Sequence, residues 1–403
     1  MRVLKGKSGI TILFRPMKTG LVDMRYYVKC GAVDESPSEW GYAHALEHMV
    51  YAGTSKRDWQ QINRDWEKLG AYYNAETLHD RTVYLTTCLK KHWQEAYEVL
   101  ADMFYNCTFP AERWEDIERP AVLSEILDDL DDEPGVLMEE LYSQGIGDRY
   151  HSIVGGIDAI KKATIKDLTR FYEEYYQGDN VVLVITGDIG EKELLQAVNR
   201  YDRLQVRRPV RRKKFRFNFD YTPLEVVQPG TQQAYIQAIA PIQIPRKYRT
   251  KVALEIGVNC RSQYLFEELR ERRGLVYGAS SSLYWHLPGT LFLQARTATE
   301  VSNQDKTINA FKEALSNFPH DGLTAERINN MKQATIYSTI NESEDIETSA
   351  DWMWDAWEEK QLDGDPYEDY IRIVERLTVE SIRSTTRLNV SDEHKLGKLV
   401  GQQ

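Results

Sequence analysis

Two short stretches of this chain recur at a single spacing. Thr164-Ile-Lys-Asp-Leu168 returns in type as Thr378-Val-Glu-Ser-Ile382, and the run closed by Gly187 returns as one closed by Gly401, each pair 214 residues apart. Two matches at one offset, each closing its half, imply a duplicated domain of roughly 200 residues. The length agrees, since 403 residues exceed what one compact core organises and suit two domains. The basic stretch "RLQVRRPVRRKKFRF" stands between the halves and reads as a solvated linker rather than a nucleic-acid patch. The expected organisation is a first domain at 1–205, a basic linker at 206–222 and a second, homologous domain at 223–403.

Composition narrows the partners. With 42% hydrophobic and 28% charged residues the chain is a folded, soluble type, and its net charge of −11 argues against nucleic acid. Cys30, Cys88, Cys107 and Cys260 show no paired spacing, which reads as reduced thiols rather than a disulfide framework. No run is apolar and long enough for a signal peptide or a membrane span. A cytoplasmic location and no membrane partner are therefore expected.

The first half alternates strand and helix signals. Ile10, Ile12 and Phe14 alternate with Thr11, Leu13 and Arg15 as in a strand, and Thr82–Leu89 shows the same period of two. A helix is expected from His44 to about Tyr51, another ends at Gly70, and "VVLVITG" at 181–187 has the unbroken apolar character of a buried strand. A long helical pattern over 111–130 contains Pro120, a residue that kinks or breaks helix interiors.

The chemistry concentrates in "HALEHMVYAGT", residues 44–54. On a helix, positions i and i+4 share a face, so His44 and His48 can aim their imidazoles at one metal ion, with Glu47 beside them. Neutral imidazole is a good zinc ligand, and a catalytic zinc takes three protein ligands and keeps one position open. A neighbouring carboxylate can then take a proton from the attacking water. The order HxxEH is that of the inverted zincins. For the third ligand the 111–130 helix offers Glu112, Glu115, Glu118 and Glu125, and the residues alone do not choose among them.

"GYAHALEHMVYAGT" resembles the active-site segment of the pitrilysin/insulinase family of zinc metallopeptidases, with Gly and Ala before HxxEH and Gly-Thr after it. "ERPAVLSEI", residues 118–126, is similar to the family's later helix. That resemblance implies Glu125 as the third zinc ligand and Glu118 as an auxiliary acid that steadies the ligands. "YNAET" at 73–77 resembles the edge strand on which family members bind substrate, which implies Asn74, Ala75, Glu76 and Thr77 as peptide-contacting positions. "LRERRGLVYG" at 269–278 resembles the family's Arg/Tyr segment, which implies that Arg270 and Tyr277 hold substrate and polarise the scissile carbonyl. Three departures stand out: Ala45 occupies a position where many relatives carry a bulky aromatic, "GVNCRSQYLF" lacks the usual glycine-rich run, and Pro120 interrupts the ligand helix.

The fold implied is α+β, two duplicated domains, each an antiparallel sheet with helices packed on one side. The activity implied is a peptide hydrolase holding one Zn2+ per chain and acting on peptides or small unfolded polypeptides inside a dimeric chamber. Because the zinc set and the Arg/Tyr pair occur in one chain, a homodimer is expected over a heterodimer. The alternative is a non-catalytic or partner-dependent subunit of a heterodimeric processing peptidase.

Overall fold

The structure is a computed structural model that describes residues 1–401, apart from 149, 205–209, 211, 213–216, 244, 246, 288, 361–363 and 391–392. Much of the expected 206–222 linker therefore lies outside the described residues. Of its described part, Arg212 forms an ion pair with Asp34 at 3.2 Å, while the ring of Phe217 stacks on that of Phe292 at 6.0 Å.

The strands form two sheets. The first contains β1 (Arg2–Lys5), β2 (Thr11–Pro16), β3 (Leu21–Val28), β4 (Tyr72–Thr77), β5 (Thr82–Leu89) and β6 (Val181–Gly187), in the order β1-β2-β6-β3-β5-β4. The second contains β7 (Leu224–Val227), β8 (Gln233–Gln243), β9 (Ala279–Leu287), β10 (Thr290–Glu300) and β11 (Lys395–Val400), in the order β7-β11-β8-β10-β9. The orders β2-β6-β3-β5-β4 and β7-β11-β8-β10-β9 correspond strand for strand. In each, the first pair is parallel and the remaining pairs are antiparallel. The expectation of an antiparallel sheet missed this parallel pair, which forms because the last strand of each unit returns over the sheet by a helical crossover.

The repeat that betrays the duplication is a pair of helix starts. Thr164 and Thr378 cap helices Ile165–Tyr175 and Val379–Asn389, each in a capping box with the residue three positions on. In each unit the capped helix precedes the returning strand, β6 or β11.

The compact units are not contiguous halves. The first comprises Met1–Ile126, Ser152–Lys213 and Ile340–Glu368; the second comprises Leu127–His151, Lys214–Thr339 and Asp369–Gln403. In the first unit, Ile12, Phe14, Met24, Tyr26, Leu183 and Ile185 face a core with Ala45, Leu46, Met49, Leu100 and Phe104. Leu13, Tyr27, Val83, Val182 and Val184 point the other way, as the two-residue period of a strand requires. They meet Ala350, Met353 and Trp354 of helix Ile346–Glu358, and the Trp354 ring stacks on Tyr27 at 4.5 Å. Both faces of this sheet are thus covered, which explains the unbroken apolar run of β6 and extends the expected one-sided arrangement. The second unit has the matching feature: helix Glu133–Ile146 lies against β8 and β11, with Tyr142 packed edge-on to Phe292 at 5.0 Å.

Candidate metal centre

The helix that carries the two histidines, Tyr42–Val50, runs between β3 and β4. Its Tyr42, Ala43, Ala45, Leu46, Met49 and Val50 are buried, so packing fixes its rotation about its axis and with it the direction of His44, Glu47 and His48. Its start is unusual. Gly41 stands at the N-cap with φ 98° and contributes no side-chain cap. Instead the buried carboxylate of Glu35 accepts hydrogen bonds from the backbone N–H groups of Gly41 (2.6 Å) and Ala43 (2.7 Å), satisfying donors that a helix start leaves open. Burial pushes the Glu35 carboxyl well above its ordinary pKa against the pull of these two bonds.

The third donor comes from residues 111–128, one helical run whose middle, Trp114–Glu118, is a π-helical turn. The wide turn lies just before Pro120, whose ring and missing N–H disfavour regular α geometry at the preceding turn. The helix therefore continues through the proline. Glu118 and Glu125 are seven residues apart, nearly two turns, so both face the histidines. Arg119 and Trp114 tie this helix down by donating to the carbonyl of Ala163 at 2.6 and 3.1 Å.

Three donor atoms converge. His44 Nε2 and His48 Nε2 are 3.3 Å apart, and Glu125 Oε2 lies 3.1 Å from the first and 3.6 Å from the second. Among the described residues this is the one group of three His, Cys, Asp or Glu side chains within reach of a single ion. Ligands about 2.0–2.1 Å from a tetrahedral ion lie about 3.3 Å from each other, and the three separations bracket that value. Two neutral imidazoles and one carboxylate are also a donor set that zinc accepts. The residues fit the ion.

Behind the donors sits a supporting layer. Glu118 Oε2 is 3.2 Å from His48 Nδ1, and Glu118 Oε1 accepts from Arg113 Nε at 2.7 Å. With Nδ1–H directed at Glu118, the lone pair of His48 Nε2 is left facing His44 and Glu125. Burial disfavours the charged imidazolium of His48, yet the hydrogen bond to Glu118 and the charges of Glu125, Glu47 and Glu118 outweigh it and raise its pKa. For Glu118, burial is outweighed by the bonds from His48 and Arg113, so its pKa is lowered. Glu125 is lowered chiefly by its bond to His44. His44 Nδ1 is buried with no protein partner among the described residues.

The expected substrate strand is β4, the edge of its sheet, paired on one side with β5. Tyr72, Asn74 and Glu76 are exposed along it while Ala75 and Thr77 are buried against the metal-site face. Two of its groups are already engaged. The Tyr51 hydroxyl donates to the carbonyl of Asn74 at 2.7 Å, and the Thr77 hydroxyl donates to Glu47 Oε2 at 2.6 Å. A cleft of about 240 Å3 opens beside the donors, walled by Glu47, His48, Tyr51, Trp59, Tyr73 and Arg113. Arg270 and Tyr277 belong to the second unit. There the guanidinium of Arg270 donates to the Tyr277 carbonyl and lies 4.4 Å from the centre of its ring, and the tyrosine is 85% exposed.

Thr77 as a partner of Glu47, Glu35 as a helix cap and Arg113 behind Glu118 were not legible as such in the sequence. None forms a local pattern, and each meets its partner only through the fold.

Family models match most of the chain: "Insulinase (Peptidase family M16)" over 17–152 and "Peptidase M16 inactive domain" over 162–335. The chain belongs to the insulinase, or M16, peptidase family. Among curated relatives, an uncharacterized zinc protease of Rickettsia bellii is 27% identical over 303 residues, covering 73% of each chain. The human mitochondrial-processing peptidase subunit beta is 29% identical over 196 residues, 48% of this chain and 40% of that one. Among solved M16 structures, a peptidase M16 inactive domain from Pseudomonas fluorescens superposes with a TM-score of 0.88 at 18% identity, covering 100% of this chain and 98% of the other. That likeness shows the shared fold. Among the described residues, no helix is long and apolar enough to cross a membrane.

Proposed function

We propose that this chain is a zinc-dependent endopeptidase that hydrolyses peptides or small unfolded polypeptides in a chamber formed by two copies. The observation that carries the reading is the triangle of His44, His48 and Glu125 with Glu47 beside it on the same helix. A zinc ion held there, one per chain, would supply a Lewis acid to a scissile carbonyl and acidify water. Glu47 takes the proton of the attacking water and passes it to the leaving amine. Thr77, by donating to one oxygen of Glu47, holds the carboxylate in position. Glu118 fixes the tautomer of His48. A peptide adds to the open side of β4 as a further strand, held through its backbone near Asn74, Ala75 and Glu76, which suits varied sequences.

Arg270 and Tyr277, supplied by a second copy, bind the carbonyl region and stabilise the developing oxyanion. We place the protein in the cytoplasm, a reading that four free cysteines, three of them buried, support. A partner-dependent subunit is the rival, favoured by the likeness to one subunit of a processing peptidase.

The test is a peptide-library digest read by mass spectrometry, with and without a chelator, beside metal analysis of the purified protein. One zinc per chain and chelator-sensitive cleavage are expected, with Glu47→Gln keeping its zinc and losing about 10²–10⁴-fold in kcat. Full activity in Glu47→Gln, or no divalent metal in the wild type, overturns the reading. Mixing Glu47→Gln with Arg270→Ala restores part of the lost activity if the two copies complete each other's sites. Activity that appears only with a different partner protein would favour the rival.

A further inference from the structure

The supporting layer of the metal centre does not end at Glu118. Arg113 stands on the same helical run as Glu118, five residues before it, and its Nε donates to Glu118 Oε1 at 2.7 Å. The other oxygen of that carboxylate faces His48 Nδ1 at 3.2 Å. The guanidinium in turn lies 4.6 Å from the centre of the Trp59 ring, and Trp59 opens the helix that follows the metal motif, Trp59–Leu69. One line of contacts therefore runs from Trp59 through Arg113 and Glu118 to a donor of the metal centre. Trp59, at its outer end, is exposed, but the line is part-buried from Arg113 inward, with side-chain exposures of 23% at Arg113, 11% at Glu118 and 17% at His48, so solvent screens that part only partly.

We propose that Arg113 is a positioning residue for the metal centre, acting through Glu118 on His48. The proposal rests on the zinc reading given above. Three features carry it. Glu118 is buried close to a site that already holds Glu47 and Glu125, and Arg113 is the one arginine or lysine paired with it among the described residues. The contact through Nε fixes which carboxylate oxygen remains for the imidazole, so it selects the orientation of Glu118 as well as its charge. The guanidinium lies over the face of the Trp59 ring, a contact that a planar, delocalised cation makes better than a lysine ammonium does.

Arg113 and Trp59 also stand where two clefts meet. They line both the cleft beside the donors and a larger one of about 720 Å3 bounded by residues 52–60 and 108–117. A side chain entering from either cleft touches the brace that holds His48.

Arg113→Met, Arg113→Lys and Trp59→Ala are compared with the full-length wild type. Zinc affinity is read by competition with a chromophoric chelator, and ligand geometry by the visible absorption of the Co2+-loaded protein. Thermal unfolding of the metal-free protein reports folding, and peptide kcat and KM are measured separately. Arg113→Met is expected to weaken zinc about 10-fold, the lower end for loss of a group supporting a ligand. It should also shift the Co2+ bands and lower kcat more than it raises KM, without changing the unfolding of the metal-free protein. Arg113→Lys recovers part of the affinity because charge is restored without the fork. Trp59→Ala weakens zinc by less than Arg113→Met and raises KM more.

Wild-type zinc affinity together with an unchanged Co2+ spectrum in Arg113→Met overturns the proposal while leaving the zinc reading intact. A wild type that binds no zinc overturns both. If Arg113→Met fails to fold, Arg113→Lys with wild-type affinity and spectrum overturns the role of the guanidinium and its contacts with Glu118 and Trp59.

Discussion

Thr77 and Glu47 are thirty residues apart, and a hydrogen bond of 2.6 Å joins them. Thr77 belongs to the expected substrate strand and Glu47 is the expected base; here the Thr77 hydroxyl donates to the Glu47 carboxylate. Thr77→Val keeps the shape of the buried end of β4 and removes the donor. It is expected to lower kcat about 10-fold with KM little changed, because a looser base affects the proton transfer more than the binding of peptide. A change confined to KM would return Thr77 to the substrate. The same separation explains what was legible at this scale. His44, Glu47 and His48 form a pattern within one helical turn and could be read directly. Glu125 could be named only through family resemblance, because the sequence offers several acids on one helix and packing alone decides which one reaches the histidines.

The metal-motif helix depends on a start that its own residues do not provide. Gly41 adopts a left-handed conformation, and a Cβ built on it would lie 2.9 Å from Ile160 and 3.0 Å from the backbone of Gly155. Gly41→Ala therefore meets both an unfavourable φ and a backbone neighbour that cannot swing aside. A loss of roughly 2–3 kcal/mol is expected in denaturant unfolding, accompanied by weaker zinc binding because the first turn carries His44. Unaltered stability would show that the turn relaxes freely. Helix 111–128 shows the reverse case. Its proline promised a break, yet the π-helical turn before Pro120 absorbs the misfit and the helix goes on to deliver Glu125. Propensity marked the site of strain correctly and left its resolution open, since a kink, a break and a widened turn all relieve the same clash.

At the scale of the whole chain, each sheet is covered by a helix from outside its own half of the sequence, Ile346–Glu358 on the first and Glu133–Ile146 on the second. The far face of the first sheet is covered by Ala350, Met353 and Trp354, and Arg25 on β3 makes ion pairs with Asp23 at 2.8 Å and Asp351 at 3.1 Å. A fragment spanning 1–205 contains the whole metal centre but exposes Leu13, Tyr27, Val83, Val182 and Val184. It is expected to bind a hydrophobic dye and aggregate rather than unfold cooperatively, whereas adding residues 340–368 as a separate peptide should restore a cooperative transition. In the intact chain Trp354→Ala should cost about 3–4 kcal/mol, although it lies far in sequence from the sheet it stabilises. A stable, dye-negative 1–205 fragment would show that this helix is dispensable. By itself the sequence determined the duplication, the strand and helix periods and the two-histidine motif, since each is a pattern among near neighbours or a repeat along the chain. The tertiary structure alone decided which hydroxyl bonds Glu47 and which helix covers which sheet, and its packing brings to the histidines the acid that family resemblance implied. Those choices are made by burial between segments remote in sequence, and no local spacing encodes them.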